Sequence, residues 1–266
     1  MLAQDYAIGD YLKNTTSESQ FTYIDRELLV SILQDLNRKK EYKPETLHLA
    51  GSIADRYLKK VLEIGEPVPN LFALGATVTL LAAKLEQPIS PSFNRMLALL
   101  PSEEQRRISK KHLIDLEEQI LNALQFSLHF AGPMPFLERY QRLLGIDGEK
   151  GDHDLKQVGF TARQFCKYMQ RFAQFLEYKP SQIAAAAIVL AMRLNVSPVG
   201  PSVGLKALRG DEVKQLVAKS ASSNACASEE GRVLSPNRCK KFIGTLPTDD
   251  HLRIGSPLSL WNQNVA

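Results

Sequence analysis

Between Leu71 and Glu86 the chain reads LFALGATVTLLAAKLE, with no charged residue before Lys84. Taken as a helix, this run is apolar on nearly every side, so it is stable only where other helices surround it. It is shorter than the roughly 18 uninterrupted apolar residues of a membrane span, and no other run in the chain reaches that length. The run then ends in Lys84, Leu85, Glu86 and Gln87, and Pro88 closes it. A buried central helix that delivers one lysine to the surface at its end points to a protein that binds a partner.

Such a helix needs many others, and the rest of the chain supplies their patterns. Leu28, Leu29, Ile32, Leu33 and Leu36 form one stripe at helical spacing. Pro44 restarts a helix, as proline does at a first helical position, and Leu47, Ala50, Ile53, Ala54, Tyr57 and Leu58 follow on one face. Pro88 and Pro91 force a break. Phe93, Met96, Leu97 and Leu100 then predict a short fourth helix, and Ile108, His112, Leu113, Leu116, Ile120, Leu121 and Leu124 a long fifth one.

Gly132, Pro133 and Pro135 mark a boundary. Helical spacing resumes over residues 136–144, 161–176 and 181–194. The segment IAAAAIVLAMRL (183–194) echoes LGATVTLLAAKL (74–85), with Arg193 in step with Lys84. The tetrapeptide EYKP also occurs twice, at 41–44 and 177–180, at a spacing that disagrees with the longer echo. It reads as a recurring helix start. The expected organisation is an extension over 1–24, a helical module over 25–131, a second, shorter one over 132–219, and a flexible tail over 220–266. Within the C-terminal part, 196–204 reads as a loop and 205–219 as one more short helix. The tail is rich in Ser, Asn, Gly and Pro.

Composition excludes several functions. Apolar residues make up 44% and charged residues 23% of the chain, ordinary for a globular protein with a sizeable core. A net charge of +4 is too small to argue for nucleic acid, and no direct nucleic-acid or membrane partner is expected. Cys166, Cys226 and Cys239 contain no CxxC pair, which suggests a reducing compartment and no zinc site. With no apolar signal core at its start, the chain is expected in the nucleus or cytoplasm. The five histidines lack ligand spacing, so no metal or cofactor is expected. No nucleophile–base–acid set or glycine-rich phosphate loop stands out. Glu117 and Glu118 are adjacent, so on a helix they point about 100° apart, poor geometry for shared acid–base work. Arg106, Arg107, Lys110 and Lys111 form a basic cluster that reads as a solvated face or, alternatively, a nuclear-import or acidic-partner patch.

The order of these pieces resembles the cyclins. PETLHLAGSIADRYL (44–58) looks like the family's second-helix signature, ending in Asp55-Arg56, and LLAAKLEQP (80–88) like its third-helix signature. LEEQILNALQFSLHFAGPMPFL (116–137) is similar to the fifth helix and the loop into the second box, and YKPSQIAAAAIVLA (178–191) resembles the matching helix of that box. The resemblance implies an all-α fold of two helical-bundle boxes in tandem, the second one shortened. It implies a non-catalytic regulatory subunit that binds and activates a cyclin-dependent serine/threonine kinase, in cell-cycle control. Lys84 and Glu117 would touch the kinase, and Leu81, Leu85, Leu121, Phe126 and Leu128 would supply apolar contact. Arg26 would pair with Asp55 to hold the first helix against the bundle. The family's substrate-docking groove is altered: Asp25 stands in place of methionine, Ile32 in place of tryptophan, and Phe72 in place of glutamine. A two-box general transcription factor, or a non-catalytic scaffold, is the alternative. The former would bring a zinc ribbon and a strongly basic surface. Finally, Ser235-Pro236-Asn237-Arg238 fits the pattern of proline-directed kinases, which makes Ser235 a candidate phosphosite for the bound kinase.

Overall fold

Helix α3 (Leu71–Glu86) is buried without interruption from Ala73 to Ala83, as its composition requires. Our computed structural model describes residues 7–13, 21–89, 91–144 and 153–196. Among these residues the regular structure is entirely helical: α1 (Tyr23–Lys39), α2 (Pro44–Ile64), α3, α4 (Phe93–Leu97), α5 (Ser102–Arg107), α6 (Lys110–Ala123), α7 (Pro133–Leu143), α8 (His153–Met169), a 3₁₀ helix (Ala173–Glu177) and α9 (Pro180–Val196). Two compact units result. Of the described residues, the first gathers those up to Met134 together with Lys167–Pro180, and the second holds those between Pro135 and Cys166 with those from Ser181 to Val196. Residues 167–180, inside the second module by sequence, thus pack with the first unit. The expected helix at 205–219, the tail and Ser235 lie outside the described residues.

In the first unit, α1, α2 and α6 pack around α3. The approach of α1 is close at Gly75, where an added Cβ would stand 2.8 Å from Ile32 Cγ2. Inside α3 the Thr77 hydroxyl donates to the Ala73 carbonyl at 2.8 Å, whereas the buried Thr79 hydroxyl has no hydrogen bond among the described residues. Asn70 starts the helix by accepting from the amides of Phe72 and Ala73 at 2.9 and 3.0 Å. Helix α1 starts with a capping box between Thr22 and Asp25. The predicted stripe on α1 buries Leu29, Ile32, Leu33 and Leu36, but Leu28 is on the outside, 47% exposed. Leu28 stands one residue before Leu29, so the 3.6-residue period turns it away from α3.

The structure divides two of the predicted helices. The long fifth helix begins only at Lys110, because Ile108 and Ser109 are extended and Ser109 caps α6, accepting from the His112 amide at 3.1 Å. Pro101 and Ser102 open the unpredicted α5 ahead of it. The helix expected over 161–176 instead runs from His153 to Met169 and is succeeded by the 3₁₀ turn. It stops there because the carbonyls of Gln170 and Arg171 are turned toward the Arg26 guanidinium, whose Nη1 donates to them at 3.1 and 3.0 Å.

Arg26 is the deepest charge in the first unit, 1% exposed. Its Nε and Nη2 donate to the two carboxylate oxygens of Asp55 at 2.8 and 2.9 Å. Burial opposes its charge, but the Asp55 carboxylate outweighs that and raises the guanidinium pKa. Tyr11 completes the group, its hydroxyl donating to Asp55 Oδ1 at 2.9 Å. Burial first, and then the Asp55 charge, hold the Tyr11 phenol well above its ordinary pKa, so it stays a donor. Tyr11 arrives on residues 7–13, which dock through Gly9 N–H to the Leu176 carbonyl at 2.8 Å and Lys59 to the Ile8 carbonyl at 2.9 Å. Part of the expected N-terminal extension is therefore integral to the bundle.

The second unit is pinned by Gln141, fully buried on α7. Its amide donates to the Gly159 carbonyl of α8 at 3.1 Å, and its oxygen accepts from Arg163 at 3.1 Å. On α9, Ala184, Ala186, Ala187 and Ala191 are buried alongside Ile188 and Leu190.

Three outcomes are expected. Arg26→Leu leaves the Asp55 charge buried without its partner and should cost about 3–5 kcal/mol in urea unfolding. Gly75→Ala should cost about 1–3 kcal/mol through the clash with Ile32, and less in an Ile32→Ala background. His48 is buried, its Nε2 without a hydrogen bond among the described residues, and burial with the nearby Lys167 charge lowers its pKa to about 4 from 6.5. A histidine depressed in the folded state is neutral in both states above pH 6.5. As pH falls toward 4 only the unfolded chain takes the proton, removing roughly 3 kcal/mol of stability. In His48→Leu that loss should be absent, so unfolding profiles of the two proteins that run parallel between pH 7 and 4.5 would contradict this assignment.

Candidate partner-binding surface

Lys84 lies in the last turn of α3, where a cation is favoured by the unpaired carbonyls of the helix end. It does not simply extend into solvent. Its Nζ stands 2.5 Å from Glu117 Oε1 on α6 and 5.2 Å from the centroid of the Phe93 ring on α4. The two side chains are 37% and 13% exposed, respectively. Three helices therefore hold one cation in place, and the pair is still open to a partner on one side.

The apolar residues expected beside this pair divide into two groups. Leu85 and Phe126 are outside, 44% and 70% exposed, and Leu121 is half-buried. Leu81 and Leu128 are in the core, 3% and 8% exposed. Their side chains belong to the packed core and have little area left for a partner. Leu81 stands on α3 among residues that are all covered, and Leu128 lies beyond the turn at the end of α6.

That turn explains the exposure of Phe126. After Ala123 the backbone enters the left-handed region at two successive residues, Gln125 with φ +51° and Phe126 with φ +56°. For side chains with a Cβ this costs of order 1–2 kcal/mol each. The turn is held by the Phe126 amide, which donates to the Leu121 carbonyl at 2.9 Å. Lys60, reaching from α2, donates to the Ala123 carbonyl. The turn leaves the phenyl ring of Phe126 in solvent just past the end of α6.

Sequence reasoning missed Phe93, Lys60 and Ile114. Ile114 is 41% exposed and shares the outer face of α6 with Glu117 and Leu121 at spacings of three and four residues. That spacing was the available signal. The altered docking positions also have local explanations. Asp25 accepts from the Thr22 amide at 2.8 Å, Ile32 is buried against Gly75, and Phe72 is half-buried at the start of α3. No group of three or more metal-ligating side chains occurs among the described residues.

Comparison with known proteins bears on the family and the fold. The family model "Cyclin, N-terminal domain" matches residues 6–129, and "Cyclin, C-terminal domain" matches 131–204. A G2/mitotic-specific cyclin-B of Dictyostelium discoideum is 32% identical, aligned over 70% of this chain and 39% of its own length. Cyclin-B2-1 of Oryza sativa subsp. japonica is 30% identical over 62% of this chain and 36% of its own. The chain thus spans less than half the length of these relatives. Among solved structures, a viral cyclin from herpesvirus saimiri matches with a TM-score of 0.53 at 17% identity, covering 76% of this chain and 88% of that one. A chain of the yeast RNA Pol II CTD kinase CTDK-1 complex matches at 0.56 and 15% identity, covering 99% and 98%. These two share the fold. With both cyclin domains matched in adjoining stretches, curated cyclins among its relatives and a helical bundle around α3, the chain belongs to the cyclin family.

Proposed function

We propose that this cyclin is the regulatory subunit of a cyclin-dependent serine/threonine kinase, which it binds and activates through the surface around Lys84 and Glu117. The observation that carries the reading is the Lys84–Glu117 pair, held by three helices, with exposed Leu85 next to Lys84 on α3 and exposed Ile114 one turn from Glu117 on α6. Interfaces commonly combine an apolar centre with a few orienting polar groups. The likeness to a mitotic-specific cyclin supports a role in cell-cycle control, and action in the nucleus or cytoplasm fits that role.

The mechanism is a shift of population. A protein kinase is active when the glutamate of its mobile helix pairs with the catalytic lysine. A rigid surface that fits only that arrangement stabilises it by the difference in affinity between the two states. Moving a kinase from 1:99 to 99:1 needs about 10⁴-fold discrimination, about 5.5 kcal/mol. A platform already strained and paired before binding loses little on docking, which is the role we assign to the Phe126 turn and the fixed Lys84. The cyclin contributes no reacting group. The phosphoryl-transfer chemistry belongs to the kinase.

The pair itself supplies the test. Lys84→Glu with Glu117→Lys keeps an ion pair within the chain but reverses the charges that a partner meets. Kinase binding should fall at least tenfold with helicity and melting temperature unchanged, and Phe126→Ala should weaken binding at least tenfold through loss of an exposed aromatic anchor. Kinase recovered equally by wild type and both variants would refute this interface.

A further inference from the structure

The basic cluster between α5 and α6 is not used by the surface around Lys84. It reads Arg106-Arg107-Ile108-Ser109-Lys110-Lys111. Two arginines stand three and two residues ahead of a hydroxyl, at the spacing an acidic substrate cleft selects when it reads positive charge on the N-terminal side of the acceptor. Guanidinium groups are well suited to that recognition because they form forked bonds to carboxylates.

The structure makes the segment accessible. Arg106, Arg107, Ser109, Lys110 and Lys111 are exposed, and Ile108 alone turns inward. Ile108 has φ −99° and ψ 114°, and Ser109 has φ −87° and ψ 158°, so both are extended. That is the shape in which a substrate chain lies across a kinase cleft. On the N-terminal side, α5 is only six residues long, too short to be stable by itself, so its last turn unwinds at little cost. Arg107 pairs with Glu104 at 3.5 Å, with its side chain 71% exposed. A surface pair of this kind is weak and releases the guanidinium readily.

The charges around Ser109 also suit a phosphate. The first turn of α6 holds Lys110, Lys111 and His112 and no acidic residue, the reverse of what the helix dipole favours. A phosphate on the Ser109 oxygen brings roughly −1.5 to −2 charge to that end. We propose that Ser109 is a phosphoacceptor for a basic-directed serine/threonine kinase, with ATP as donor. In the transfer, Ser109 Oγ bonds to the γ-phosphorus as the bond from that phosphorus to its bridging oxygen breaks. ADP leaves, and the hydroxyl proton passes to the kinase's catalytic carboxylate. Lys110 occupies the position after the serine where proline-directed kinases require proline, so the modifying enzyme is of a different class from the bound kinase proposed above. The two proposals stand or fall separately.

The experiment incubates the folded full chain with the catalytic subunit of cAMP-dependent protein kinase and ATP, then locates phosphate by peptide mass mapping. Phosphate should appear on Ser109 and be absent in Ser109→Asn, which retains a cap at the helix start without an acceptor hydroxyl. Arg106→Gln with Arg107→Gln should slow Ser109 modification at least tenfold. The modified chain should melt at a higher temperature than the unmodified one. No phosphate on Ser109 in the folded chain would overturn the proposal, as would a rate indifferent to the two arginines. Modification of a free 104–112 peptide without that of the folded chain, or a lower melting temperature after modification, would overturn it equally.

Discussion

The buried pairing of Arg26 with Asp55 is the interaction on which the first unit depends. A guanidinium carries five donors in a fixed fork, and here two of them take Asp55 while Nη1 takes two backbone carbonyls. Those contacts join α1 to α2 and bring in the turn after α8, and Tyr11 adds residues 7–13 through the same carboxylate. Each charge would be costly alone in the interior. Together they specify one arrangement of four segments distant in sequence, and any displacement of one segment strands a buried polar group.

Around that junction α3 acts as the axis. From Ala73 to Ala83 its sides are consumed by packing, and its last turn emerges fully at the surface. The same helix that requires the bundle therefore also fixes where Lys84 emerges, and α4 and α6 complete the placement through Phe93 and Glu117. Rigidity matters to the proposed role because a partner's equilibrium is shifted only by a surface that discriminates between its states.

Much of this was legible in the amino-acid sequence where a single period or a strong stop governed. The extent of α3 follows from an uncharged run that begins at Leu71 and from Pro88 after it. Lys84 and Glu117 were found through the family resemblance. The rest depended on tertiary contact. Leu81 and Leu85 are both leucines near the end of α3, and only neighbouring helices decide that one is covered and the other is not. The α8 helix stops where Arg26 claims two carbonyls, a cause 144 residues away in the chain. Nothing local in Gln125 or Phe126 announces two left-handed residues, because neither is glycine or asparagine. The break before α6 had a signal, Ser109 ahead of a helical pattern, but the continuous spacing from Ile108 masked it.

The measurement that bears most directly on the central claim is the turnover of a Ser-Pro peptide by purified, monomeric cyclin-dependent kinases, each titrated with this chain. A saturable rise of at least a hundredfold in kcat/KM is expected for one or more of them. Binding that saturates without a change in turnover, or no response from any of the kinases, would contradict it.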